Sequence, residues 1–553
     1  MSTASEVAPA PSGEYSHRQI LTILTGLLLG MFLGALDQTI VSTAIRTISD
    51  DLNGLSAQAW VTTAYLVTST ITTPIYGKLG DLWGRKKLFM FAITVFIIGS
   101  VMCTAATSMY ELAAFRAFQG LGAGGLFTLV LAIIGDIVSP RERARYTGYF
   151  MATFGSASVL GPVIGGLLAG THSILGIAGW RWVFLVNVPV GILALFVITR
   201  TLHVQHTKRE SRIDWMGGVA LVICLVPLLV VAEQGQSWGW GSTKSVVCFV
   251  IGVIGLVLFV AQEARMKLEA LIPLKLFTIK AASVTIVASV IVGMGMFGGM
   301  MLLPLYMQIV HGATPTQSGF LMLPMVAGMM SASMIAGQLI SRTGRTRPFP
   351  IAGSLIMAVG LFLLSRITAD TSLWKVDLMM ALVGYGVGNC MQPLILTMQS
   401  SVPPTAIGVA TSSATFFRQI GGTVGVAVFL SVLFGGVGGH IDTAFKSAQT
   451  TPTFQAAADK ALTGPKTSPN YELVTKPQAV LGGISNDSAV IQKLDPVLAH
   501  PVKSGFASAM TPAFAVAGGL GVLAFLVLLL MPEVKLRETS AAAARSAAAE
   551  AAG

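Results

Sequence analysis

Long apolar stretches recur from Ile20 to Met531, separated by short polar breaks. An α-helix needs about 20 such residues to cross a bilayer. The pattern predicts spans at 20–45, 56–78, 88–108, 111–136, 146–170, 180–200, 215–233 and 245–264. It continues with spans at 283–309, 317–341, 349–367, 375–398, 408–436 and 507–531. Those fourteen helices leave no large part of the chain for a soluble catalytic domain. The first span follows the polar leader "MSTASEVAPAPSGEYSHRQ" without a small-residue cleavage site, so it reads as a retained helix.

The polar breaks alternate in charge. "KLGDLWGRKKL" (78–88), "PRERAR" (140–145), "HTKRESR" (206–212), "EARMKLEALIPLKLFTIK" (263–280) and "SRTGRTR" (341–347) are basic. "THSILGIAG" (171–179) and "HGATPTQ" (311–317) carry no Lys or Arg. Basic loops stay on the cytoplasmic side, so both termini are expected inside. "SSVPPTA" (400–406) belongs on that side too, although it is uncharged.

"GKLGDLWGRKKL" at 77 and "GQLISRTGRTRP" at 337 share Gly, Leu, Gly and Arg, all displaced by 260 positions. Each follows the second helix of a half, the mark of a transporter built from two related bundles. Six helices with their loops would displace the repeat by roughly 200 residues, and an inserted helix pair accounts for the surplus. The expected fold is all-α and polytopic, with two six-helix bundles plus two inserted helices. The predicted parts are a leader (1–19), the first bundle (20–200), the inserted pair and linker (201–282), the second bundle (283–531) and a cytoplasmic tail (532–553). The second bundle includes one long outer loop, 437–506, with six Lys against five acidic residues. Within it, "DTAFKSAQTTPTFQAAADKAL" suits a short amphipathic helix. The loop reads as a tolerated insertion, or else as a lid or docking element.

Composition agrees with this pattern. Of 553 residues, 53% are hydrophobic and 11% charged, and the mean hydropathy is +0.75, outside the range of soluble domains. The net charge of +11 lies in the loops, where orientation explains it, so no nucleic acid is expected. Cys103, Cys224, Cys248 and Cys390 are isolated, which predicts neither a disulfide nor a metal site.

No phosphate-binding loop, zinc-protease motif or nucleophile elbow is present. "GLGAGG" (120–125) and "GMGMFG" (293–298) match the dinucleotide pattern, but both sit inside apolar spans and follow no strand. Tight helix packing through glycine explains them better. The seven histidines lie in or near loops, so a core histidine relay is not expected. The chain is not expected to be an enzyme.

Three ionisable residues stand at membrane depth: Asp37, Arg116 and Arg418. Asp136 and Glu233 lie near span ends. A charge at the bilayer centre costs about 2.5–3.5 kcal/mol on the lenient scale, so these residues should face an interior cavity. A desolvated carboxyl beside an arginine is poised to load or release a proton. Asp37 therefore fits proton or cation coupling, or a purely structural ion pair. Arg116 is its candidate partner, or a fixed counter-ion. Tyr65, Gln119, Gln308, Asn389, Gln392 and Phe416, with Arg418, are candidates for lining a substrate cavity, as are Gln399, Tyr306 and Phe417.

These motifs resemble the major facilitator superfamily, and within it the fourteen-helix drug:proton antiporters. "GKLGDLWGRKKL" is similar to the cytoplasmic loop motif through Gly77, Asp81, Gly84, Arg85 and Lys86, with Leu82 where arginine is usual. "LAAFRAFQGLGAGG" resembles the motif associated with proton coupling, through Arg116, Gln119 and Gly120. "VLGPVIGG" resembles the antiporter motif through Gly161, Pro162, Gly165 and Gly166. "LDQTIV" resembles a motif of the multidrug exporters, with Ser42 and Arg46 standing downstream where asparagine and proline are usual. "WRWVFLVNVPVG" (180–191) is similar to a stretch of the fourteen-helix branch.

The resemblance implies a multi-pass exporter in the bacterial inner (cytoplasmic) membrane. Protons would move inward as amphipathic or cationic drugs move outward by alternating access. The proton gradient supplies the energy, no cofactor or metal is needed, and a monomer in the lipid bilayer binding a small-molecule substrate suffices. Asp37 and Arg116 would couple protons, and Asp81, Arg85 and Asp136 would form a conformational latch. Two alternatives stay open: export of an endogenous lipid, antibiotic or siderophore, and a non-transporting membrane sensor or scaffold.

Overall fold

The computed structural model describes residues 16–52, 57–202, 214–267, 269–465, 467–475, 491 and 493–536. Most of the leader, the tail beyond 536 and the loop 206–212 lie outside the described residues, as does the side chain of Glu233. In a bilayer every backbone group must be bonded within its own helix, and the described chain is helical almost throughout. Its first half holds α1 (His17–Asp51), α2 (Gln58–Trp83), α3 (Arg85–Thr104), α4 (Met109–Ile137), α5 (Pro140–Gly170), the short α6 (Trp182–Leu185) and α7 (Asn187–Thr201). A pair follows, α8 (Trp215–Trp238) and α9 (Thr243–Met266). The second half holds α10 (Lys280–Ile309), α11 (Pro315–Leu321), α12 (Leu323–Thr343), α13 (Pro348–Leu364), α14 (Leu373–Ser400) and α15 (Ile407–Gln449). After α16 (Pro452–Leu462) and α17 (Pro469–Thr475), α18 (Pro496–Leu529) ends the described helices.

Twelve helical segments among the described residues are long and apolar enough to cross a membrane. Two further helices complete the predicted fourteen. Pro348–Leu364 is apolar but short, and α2 is long but rich in Thr and Ser.

Local sequence sets the helix ends. Ser16 and Gln19 form a capping box at α1, and the hydroxyls of Ser108 and Ser139 accept from the backbone N–H groups of Glu111 and Glu142. Each removes an orphan donor from a helix start. Between α2 and α3, Gly84 adopts φ +94°, which a side chain strongly disfavours. Its counterpart after α12, Gly344, has φ +70°.

The two halves pack alike. In the first, α2 and α3 lie on α4, while α1 lies on α5 and α7. In the second, α12 and α13 lie on α14, while α10 and α18 lie on α15. Glycine permits the close crossings. A Cβ on Gly120 would overlap Thr68 of α2, and one on Gly384 would overlap the Met325 carbonyl of α12. "GLGAGG" and "GMGMFG" both lie in helices that pack this way, on α4 and α10.

The α8–α9 pair docks on the flank where the halves meet. Leu221, Leu225 and Phe259 share an apolar cluster with Val67 and Ile71 of α2 and Ala410, Ala414 and Phe416 of α15. At its base, the Glu263 carboxylate accepts the N–H groups of Leu271 and Ile272 at 3.2 and 3.0 Å.

The stretch 437–506 differs from the predicted loop. The α15 helix continues through "GGVGGH" to Gln449, and α18 begins at Pro496, ahead of its apolar span. The glycines do not end α15 because packing outweighs their propensity. Ile441 and Phe445 bury against Phe454, Leu473, Leu498 and Val502, with the Phe445 and Phe454 rings edge to face at 5.2 Å.

Candidate functional site

Asp37 sits just past the middle of α1 and is fully buried. Four other helices converge on it. Arg116 Nη1 of α4 donates to Oδ2 at 2.5 Å, and Gln119 Nε2, one turn further along α4, donates to Oδ1 at 2.9 Å. Asn187 Nδ2, the first residue of α7, donates to the same oxygen at 2.7 Å. Gln119 is held at both ends: its Oε1 accepts from Arg116 Nη1 at 2.7 Å, and its Nε2 donates to Ser100 Oγ of α3 at 2.7 Å. The guanidinium of Arg116 lies 4.0 Å from the centre of the Tyr65 ring of α2, a cation–π contact strengthened by desolvation. Three donors aimed at one carboxylate describe an ionised Asp37. Three polar atoms stay without a partner among the described residues: Tyr65 OH, Arg116 Nε and Asn187 Oδ1.

Gln119, placed by resemblance in the same motif as Arg116 and also named for a cavity wall, and Tyr65, named for a cavity wall, both belong to this closed centre. Asn187 and Ser100 were not singled out from the sequence. Asn187 lies within "WRWVFLVNVPVG", where an amide among apolar residues was the available signal.

The second cluster stands at the end bearing the basic loops. Arg85 Nη2 meets Asp81 Oδ1 at 2.7 Å and Arg85 Nε meets Asp136 Oδ2 at 3.1 Å, all three side chains buried. Arg85 Nη1 also donates to the Ala132 carbonyl. Asp81 Oδ2 reaches the other half, accepting the backbone N–H of Val409 at 3.1 Å. A Cβ on Gly77 would overlap Ser412, so α2 and α15 touch closely here. Two residues strengthen the seam unforeseen. Arg143 bonds Gln399 and the carbonyls of Gly135 and Val138 at 2.8 and 2.9 Å. Arg141 Nε bonds the Ser341 carbonyl at 2.7 Å. Lys86, predicted with the latch, stands apart, donating to the Thr199 carbonyl of α7 at 3.0 Å on an exposed face. Successive residues on a helix point about 100° apart, so Arg85 turns inward and Lys86 outward.

The α5 glycines mark two seams. Gly161 and Gly165 abut Thr39 and Ile40 of α1, and Thr39 Oγ1 donates to the Ala157 carbonyl at 3.0 Å. Gly166 faces Thr316, and Pro162 rests against Gly319 of α11, so α5 joins its own bundle to the opposite one.

The remaining cavity candidates scatter. Gln308 Nε2 donates to Ser318 Oγ at 3.1 Å, and Asn389 Nδ2 to the Tyr385 carbonyl of its own helix at 2.9 Å. Gln392 is buried on α14. Phe416 packs into the cluster formed with the α8–α9 pair, because α15 is rotated so that this face meets α8. Arg418 is partly buried on α15, and no hydrogen bond or ion pair reaches its side chain among the described residues.

The sequence profile of the Major Facilitator Superfamily matches residues 27–426. The chain is similar to the multidrug transporter protein MdtP of Bacillus subtilis, 38% identical over 422 residues that cover 76% of each chain. It is 33% identical over 517 residues to the uncharacterized MFS-type transporter Rv1877 of Mycobacterium tuberculosis, covering 93% of this chain and 70% of that one. The solved proton:xylose symporter XylE shares the fold at 14% identity, with a TM-score of 0.57 over 96% of this chain and all of its own.

Proposed function

The chain belongs to the Major Facilitator Superfamily, and on that premise we propose that it exports amphipathic or cationic organic compounds in exchange for protons by alternating access. The observation that carries this reading is the Asp37–Arg116 pair, shut off from solvent where α1, α2, α3, α4 and α7 converge. Similarity to MdtP, a protein named a multidrug transporter, supports the cargo class.

Ionised Asp37 ties α1 to α4 and α7 by charge-assisted bonds, roughly twice as strong as neutral ones. A proton on the carboxyl cancels that charge and weakens the hold of Arg116. The freed α1 then moves with α5, to which Gly161 and Gly165 couple it, and α5 carries the motion to the seam with α11 and α12. At the basic end, the bonds from Asp81 to Val409 and from Arg143 to Gln399 hold the halves together, and must break for cargo to enter from that side. Asp37 is thus the proton carrier, Arg116 tunes its affinity, and Asp81, Arg85 and Asp136 form the latch. This reading places the chain in a bacterial inner membrane with both termini cytoplasmic, working as a monomer on the proton gradient.

The test is transport in proteoliposomes with an imposed pH gradient and a panel of fluorescent cationic dyes. The parent moves dye in proportion to the gradient, and Asp37→Asn loses that dependence. Unchanged gradient-driven transport in Asp37→Asn overturns the assignment. A second reading keeps the fold and replaces the cargo with an acidic endogenous lipid, antibiotic or siderophore. Arg418 favours it, as a cation at membrane depth with no anionic partner among the described residues. In that case deletion alters envelope composition and leaves drug tolerance unchanged.

A further inference from the structure

The hydrogen bonds around Asp37 leave one imbalance. Its Oδ1 is filled by two donors, Gln119 Nε2 and Asn187 Nδ2. A proton arriving on that oxygen needs an acceptor, and one of those donors must leave. Gln119 cannot supply the acceptor, because turning its amide would set its NH2 against Arg116 Nη1, donor against donor. Ser100 Oγ already accepts from Gln119 and, at 3.3 Å, from Asn187. Asn187 is held differently. Its amide nitrogen faces Asp37, and its carbonyl oxygen is buried without a donor among the described residues. An amide turned by 180° exchanges these two atoms while the rest of the side chain stays in place.

We propose that Asn187 is the residue that reads the proton on Asp37: its amide offers N–H to the carboxylate and turns to offer C=O to the carboxylic acid. Each orientation suits one charge state. With the carbonyl toward an ionised Asp37, two acceptors would face each other at 2.7 Å. With the N–H toward a protonated Oδ1, two donors would meet. The amide therefore lowers the free energy of both end states and disfavours mixed ones, which makes loading and release cleaner. Asn187 acts through Asp37 and is a positioning residue. The other titratable groups facing the pair are Arg116 of α4, Tyr65 of α2 and Cys103 of α3. Of these, only Arg116 hydrogen-bonds Asp37 among the described residues, and it does so at Oδ2, as a donor. This inference rests on Asp37 being the proton carrier.

The test is infrared difference spectroscopy of the full-length protein in proteoliposomes, titrated with pH and requiring no substrate. The carboxyl carbonyl band that vanishes in Asp37→Asn reports Asp37. In the parent, a side-chain amide carbonyl band shifts in the same titration, as the orphan oxygen gains its hydrogen bond. That shift is missing in Asn187→Ser and in Asp37→Asn. Asn187→Val, which offers neither donor nor acceptor, raises the Asp37 midpoint by about one pH unit, because the lost bond to a charged carboxylate outweighs the lost bond to a neutral acid. An Asp37 band that titrates in the parent with no amide shift overturns the role of Asn187 and leaves the proton carrier standing. An Asn187→Val midpoint equal to the parental one does the same. If no titrating carboxyl band depends on Asp37, the coupling role itself is overturned, and this inference with it.

Discussion

The two bundles repeat each other in packing and diverge in charge. Gly84 and Gly344 close the second helix of each half with positive φ, and small residues let α4 and α14 press on α2 and α12 in the same way. Yet both buried ion-pair clusters belong to the first bundle: Asp37 with Arg116, and Arg85 with Asp81 and Asp136. Among the described residues the second bundle has only exposed pairs, Lys446 with Asp442 and His500 with Asp370. At the seam it meets the first bundle's charges with neutral groups, the Val409 N–H, the Gln399 amide and the Ser341 carbonyl. Neutral partners bind a charge without needing a buried charge of their own when the seam opens. One bundle therefore holds the buried charges, and the other meets them with neutral groups.

The largest effect should come from breaking the buried pair on one side only. Arg116→Ala strands the Asp37 carboxylate and should cost about 3–5 kcal/mol, read as a marked fall in thermal stability in detergent together with loss of gradient-driven transport. The second bundle's Arg418→Ala breaks no ion pair and should stay within about 1 kcal/mol. Equal losses in the two variants would erase the asymmetry. Next comes the latch. Asp81→Ala removes both the Arg85 partner and the acceptor for Val409. A buried Ser412→Cys reporter in a cysteine-free background should then react roughly tenfold faster with maleimide, equivalent to about 1.4 kcal/mol. Arg345→Ala, at the repeat position of Arg85 in the second bundle, should leave that rate unchanged. The glycines test the part of the repeat that is symmetric. Gly84→Ala and Gly344→Ala should each destabilise by about 1–2 kcal/mol, with Gly84→Ala the more severe, because its backbone (ψ +131°) lies further from any conformation a side chain tolerates. Lys86→Ala, exposed and bonded only to a carbonyl, should shift stability by less than about 0.5 kcal/mol.

Asp37 and Arg116 were legible in the chain because a charge in an apolar span is costly and rare, so few residues competed for the role. The cluster of Asp81, Arg85 and Asp136 was legible in part through resemblance, and its reach across the seam was not. Arg143 sits in a basic stretch that looks like an orientation signal, and nothing in "PRERAR" says which arginine turns inward. Asn187 was missed because a neutral amide in an apolar stretch carries little cost and so little signal. The packing of Phe416 against the α8–α9 pair was not legible, because hydropathy shows which residues are apolar and not which way a mostly apolar helix is turned. The extended α15 was missed because "GGVGGH" has the composition of a break, while Phe445 and Phe454 supply packing that no local pattern reveals.

The sequence by itself determined that the chain crosses a bilayer many times, which loops share a side, that a repeat relates its halves, and which few charges lie deep. Each follows from local physics: span length, the cost of burying charge, and the bias of basic loops. Only the tertiary structure decided that Asn187 and Gln119 share one oxygen of Asp37, that Arg85 and Arg143 turn inward while Lys86 does not, and that Asp81 bonds a backbone 328 residues away. Those facts depend on helix rotation and on contacts between distant helices, which an evenly apolar span leaves open until its neighbours pack against it.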